Sequence, residues 1–112
     1  MVEARAPGER RLRLLALGDA LHEAATGADW DALARQVNAL APALRTLAAR
    51  GPWSGAERAA LERLRARHDA ALAAVAAATD ALGARLETMR ANKDGWLAYA
   101  MHSETDSGAS RQ

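Results

Sequence analysis

From Ser54 to about Ala91 apolar residues recur at steps of three and four: Leu61, Leu64, His68, Leu72, Val75, Thr79, Leu82, Leu86 and Met89. That spacing lines one face of a helix. Ser54-Gly55-Ala56-Glu57 opens it with the form of a capping box, in which the serine hydroxyl and the glutamate carboxylate each satisfy a backbone donor. A helix from Gly55 to Ala91 is about 55 Å long at 1.5 Å per residue. No other stretch of the 112 residues is long enough to cover it. A stripe longer than its cover points to binding rather than to catalysis.

Leucine and alanine dominate the apolar half of the chain, phenylalanine is absent and strand-favouring residues are scarce, so the expected class is all-α. The net charge is +1, with the excess near the start, where Arg5, Arg10, Arg11 and Arg13 outnumber Glu3 and Glu9. No sustained basic face of the kind nucleic acid requires is present, which leaves at most a short basic arm. Without cysteine there is neither a disulfide framework nor a thiolate metal site, which suits a reducing cytoplasm. The run Leu12 to Leu17 is broken by Arg13 and does not form a signal-peptide core, and Ala70 to Ala78 is about half the length of a membrane span. A soluble, cytoplasmic protein is expected.

Residues 1–8, with Pro7 and Gly8, read as a flexible lead-in to a helical domain over 9–102. Helix one starts near Glu9, buries Leu14, Leu17, Leu21 and Ala24 or Ala25, and ends at Gly27; Gly18 lies on the same side, where a missing side chain admits a close neighbour. Asp29 caps helix two, whose seam Trp30, Leu33, Val37, Leu40, Leu44 and Leu47 alternates steps of three and four. Pro42 should bend this helix without ending it, because the seam continues in phase. Gly51-Pro52-Trp53-Ser54 then makes a short turn into helix three, giving an antiparallel three-helix bundle with a long third helix. Helices one and two reach roughly 30 Å and cover only its first half. Asn92-Lys93-Asp94-Gly95 is expected to stop or bend the helix, so that Trp96, Leu97, Tyr99 and Met101 form a short C-terminal fourth helix folded over the uncovered half. Ser103 to Gln112 is polar and small and reads as a disordered tail.

Chemistry is sparse. His22, His68 and His102 lie on different elements, none with a metal-ligand spacing on its own helix, and His68 falls on the buried stripe. No cofactor or metal is expected. Arg67-His68-Asp69-Ala70 lacks the lysine-glycine pair of phosphotransfer bundles. A small helical enzyme of the mutase type would need arginines turned inward, whereas Arg58, Arg63, Arg65, Arg67, Arg85 and Arg90 lie beside the stripe and read as a solvated face. Arg58 with Glu62 and Arg65 with Asp69 have helical ion-pair spacing. The surface expected to meet a partner is Leu72, Val75, Leu82, Leu86 and Met89. Trp96, Leu97, Tyr99 and Met101 are expected either to cap their own helix, to gate that surface or to join it. A homodimer in which two uncovered halves shield each other, or another generic helical interaction module, is the alternative.

Trp30-Asp31-Ala32-Leu33 at the start of helix two, a short turn into one long helix, and Trp96-Leu97-Ala98-Tyr99 beyond it resemble FliT-type flagellar export chaperones over roughly Leu14 to Met101. The resemblance implies a cytoplasmic bundle that binds the C-terminal helical region of the filament-cap protein, prevents its premature assembly and delivers it to the type III export apparatus. It also implies contacts with the export ATPase and, in some bacteria, with the flagellar transcription activator. Trp30 and Leu33 would then be structural, Trp96 to Tyr99 would restrain binding, and Leu72 to Met89 would hold the client. A sister chaperone for hook-associated proteins has similar patterning.

Overall fold

The computed structural model describes residues 8–110, and their side chains through Ser103. They form three helices, α1 (Glu9–Thr26), α2 (Trp30–Ala48) and α3 (Gly55–Ser110), with no strand among the described residues. The chain is all-α, as its composition requires. Of the expected lead-in, residues 1–7 lie outside the described residues. Two units divide after Ala76: the first holds α1, α2 and the opening part of α3, and the second holds the remainder of α3.

In the first unit local chemistry closes the end of α1 and the starts of α2 and α3, while the start of α1 at Gly8 has no side-chain cap. Asp29 Oδ1 accepts the Ala32 amide at 3.1 Å and caps α2. α1 closes with the Asp29 amide donating to the Ala24 carbonyl at 2.9 Å and the Ala28 amide to the Ala25 carbonyl at 3.2 Å, the paired bonds of a Schellman ending. The left-handed residue of that ending is Ala28, at φ +54, while Gly27 is right-handed. Gly51 turns the chain at φ +123, a conformation that side chains resist. The capping box of α3 forms in both directions: the Ser54 amide donates to Glu57 Oε1 at 2.8 Å, and the Glu57 amide to Ser54 Oγ at 3.1 Å.

Arg10 ties these ends together. Its guanidinium donates to both Glu57 oxygens at 2.8 and 2.7 Å, to the carbonyls of Leu47 and Gly51 at 2.9 and 3.0 Å, and to the Pro52 carbonyl at 2.7 Å. It also lies over the Trp53 ring, 4.3 Å from the centroid, a cation–π contact. The planar five-donor fork of arginine suits this array of carboxylate and carbonyl oxygens in a way that a lysine ammonium does not. The Glu57 carboxyl is held down to about 2, mainly by the hydrogen bonds from Arg10 and then by the Ser54 amide; reciprocally, the Glu57 carboxylate raises Arg10. One residue near the start of α1 thus meets the end of α2 and the first turn of α3. α1 and α3 begin at the same end, and α2 runs back between their starts.

The core gathers Leu14, Leu17, Leu21 and Ala24 of α1, Leu33 and Leu47 of α2, and Ala60, Leu64 and Ala71 of α3. Full burial of a leucine stabilises by about 1.5–3 kcal/mol. Val37, Leu40, Leu44, Trp53 and Leu61 are half-buried around it. Gly18 sets the approach of α1 to α3: a Cβ there would stand 3.6 Å from Leu64 Cα and 3.3 Å from Arg67 Cγ. α2 passes through Pro42 as one helix, with Thr46 Oγ1 donating to the Pro42 carbonyl at 3.0 Å.

Two expectations need correction. The buried side of α3 is not the line Leu61, Leu64, His68 and Leu72. It is turned towards Ala60, Leu64 and Ala71, with Leu61 and His68 at the margin and Leu72 exposed; the side that Gly18 approaches is that of Leu64 and Arg67. The turn at Asn92–Gly95 and the short fourth helix do not form. α3 continues through Asn92, Lys93, Asp94, Gly95 and the positions of the expected tail to Ser110, while residues 111 and 112 lie outside the described residues. Even Gly costs only about 1 kcal/mol inside a helix, whereas stopping a helix and starting another requires a new unfavourable nucleus.

Candidate partner-binding face

The first unit has an apolar groove between α2 and α3, lined by Leu40, Leu44, Leu61 and Leu64 and bordered by Arg65 and His68. His68 is half-buried there, its Nδ1 3.9 Å from Asp69 Oδ1. The groove presents no nucleophile beside a base. Arg58, expected to pair with Glu62, instead donates to the Trp53 carbonyl at 2.8 Å and reinforces the turn. Among the described residues no three His, Cys, Asp or Glu side chains are gathered to hold a metal, and no helix is long and apolar enough to cross a membrane. Leu72 and Val75, of the expected partner surface, are 48 and 38 % exposed in this unit.

Among the described residues the second unit is helix throughout, and its large apolar side chains stand in solvent. Leu82, Leu86, Met89, Trp96, Leu97, Tyr99 and Met101 are all exposed, from 51 % at Leu86 to 71 % at Trp96. Their placement follows from the helical turn of about 100° per residue. Leu82, Leu86, Met89, Trp96 and Leu97 share an arc of about 100° at that turn. Met101 lies about 40° beyond one edge, outside Arg90. Tyr99 points away from the arc, although its ring meets Trp96 edge-on at 6.3 Å. Trp96 and Tyr99 also border a shallow hollow with Ala91, Asn92 and Gly95 on the far side of the helix. The structure thus brings three of the five expected partner residues onto one face with Trp96 and Leu97.

Charge is distributed unevenly around the same helix. Lys93 falls within the apolar arc, and Arg85 and Arg90 stand roughly 20° beyond its two edges at that angular step. Asp80, Glu87 and Asp94 gather in a band of about 40° on the outer side of Arg90. Arg90 contacts Glu87 at 3.3 Å, a solvent-exposed pair one turn apart. Arg85 and Arg90 are exposed beside the stripe, as expected; what the sequence reading did not draw out is the gathering of the carboxylates on one side, for which the seven-residue step from Leu86 to Lys93, with an arginine on either side of Leu86 and Met89, was the signal available. Set against protein-family models, curated proteins and solved structures, the chain matches none.

Proposed function

We propose that the chain is a cytoplasmic helix-binding chaperone of the flagellar export kind, which holds the C-terminal helical region of the filament-cap protein until it is delivered to the type III export apparatus. The observation that carries this reading is the uncovered face of the second unit, where five large apolar side chains share one side of a helix. Each is more than half exposed and forfeits roughly half or more of the about 1.5–3 kcal/mol that full burial supplies, and an amphipathic client helix recovers it by lying along that face. The bundle of the first unit supplies stability, and within it Leu72 and Val75 are exposed apolar residues of their own. Trp96 and Leu97 belong to the binding surface in this reading, since they lie along the helix rather than on a folded-back lid. Contacts with the export ATPase and a flagellar transcription activator extend the proposal through the same family resemblance. Calorimetric titration of the full chain with the C-terminal region of the same organism's filament-cap protein tests it: a one-to-one complex is expected, and no heat of binding sinks the proposal.

A second copy of the chain is the alternative occupant, favoured by the heptad order of Leu82, Leu86, Met89, Lys93 and Trp96. Light scattering distinguishes the two, because a dimer that persists on dilution supports the homodimer and a monomer that becomes a heterodimer supports the chaperone.

A further inference from the structure

The face of the second unit carries more than apolar side chains. Between residues 77 and 103 there are three cations and three carboxylates. Their numbers cancel, but their positions do not. Lys93, Arg85 and Arg90 lie within or immediately beside the apolar arc, and Asp80, Glu87 and Asp94 lie together outside it. A helix docked on Leu82, Leu86, Met89, Trp96 and Leu97 would meet cations at both edges and one within the seam.

We infer that the occupant of this face is an acidic amphipathic helix, with carboxylates flanking its own apolar seam opposite Arg85, Arg90 and Lys93. The inference rests on the helix-binding role proposed above and adds the charge rule for its partner. Flanking charges of this kind select partners and orientation in paired helices. A second copy fits the rule poorly in the parallel arrangement, where the residue before one seam position faces the residue five further along the partner: Arg85 would meet Arg90. The surface contact between Arg90 and Glu87 is a weak restraint, worth about 0.2–0.5 kcal/mol for a pair at this spacing, and leaves Arg90 available. An anionic membrane is disfavoured because the helix carries no net positive charge over 77–103 and a band of three carboxylates lies just beyond Arg90.

The test uses the full chain and the variant Arg85→Glu with Arg90→Glu, both changes at exposed helical positions. Each is titrated at low and high salt with the filament-cap C-terminal region and with two synthetic helices that share a leucine seam flanked by Glu in one and by Lys in the other. The expected results are Glu-flanked binding at least tenfold tighter than Lys-flanked, a preference reversed in the double variant, and weakening of the cap-region complex by salt and by the double change. Cap-region binding that neither salt nor the double change moves, or equal binding of the two synthetic helices, overturns the charge rule and leaves the chaperone reading standing. Binding of the Glu-flanked helix without the cap region supports the charge rule and overturns the chaperone reading. Binding of none of the three overturns both. Adsorption to phosphatidylglycerol vesicles in preference to either peptide, or a dimer that excludes the peptides, overturns the inference.

Discussion

Arg10 shows how one side chain can organise three helix ends, and its partner Glu57 makes the arrangement sensitive to acid. The Glu57 carboxyl lies at about 2 in the folded chain against an ordinary value of 4.5, so folding favours its ionised form. The stability it contributes is fully present above about 4.5 and is lost as pH falls towards about 2. Urea unfolding followed across that window should show a steep decline, and Glu57→Gln should be less stable at neutral pH and decline less steeply. Ala28 offers a change in the opposite direction. At φ +54 it occupies a conformation that costs a non-glycine residue roughly 1–2 kcal/mol, partly offset in glycine by its freer unfolded chain. Ala28→Gly should therefore raise stability by about 0.5–1 kcal/mol, read as a shift of the urea midpoint. The capping pairs were legible in the sequence because Ser54 with Glu57, and Asp29 before its helix, act over three residues. Arg10 was not, because its partners lie 37 to 47 positions away and its place in a basic cluster suggested solvent.

Among the elements, the packing of α1 on α3 depends on what is missing at Gly18. Helix one could be read from its leucines, and so could Gly18 as a point of close approach. The rotation of α3 could not be read, since Leu61 and Leu72 suit the apolar pattern as well as Ala60 and Ala71 do. Gly18→Leu should force the two helices apart and destabilise the first unit by about 1–3 kcal/mol, measured by chemical denaturation. Gly95 tests the other end of α3. It is helical, and a Cβ at that position would meet nothing within 4 Å, so Gly95→Ala should raise the helical signal in circular dichroism by favouring helix by about 1 kcal/mol. A loss of helical signal would restore the turn that Asn92-Lys93-Asp94-Gly95 suggests. That tetrapeptide misled because propensity is a local preference, whereas folding back requires a surface that repays the cost of a new nucleus.

At the scale of the whole molecule, the buried core lies wholly in the first unit, whereas every large apolar side chain of the second is exposed. The buried leucines all precede Ala76, and the large apolar residues after it are all in solvent. A helix that keeps leucine, methionine and tryptophan in water gains little folding stability from them, and in the proposed complex their burial would contribute. Leu64→Ala truncates a core side chain that is 3 % exposed and should cost about 2–5 kcal/mol in urea unfolding. Leu82→Asp and Leu86→Asp, at 55 and 51 % exposure, should stay within about 0.5 kcal/mol of the parent in the same measurement, as surface changes do. The binding assay should reverse that order: Leu86→Asp places a carboxylate in the apolar arc and should weaken the cap-region complex at least tenfold, while Leu64→Ala, assayed where it remains folded, should bind almost as the parent does. Equal stability losses at Leu64 and Leu86 would mean that the outer half of α3 is held by the fold itself, and the separate client face would not exist.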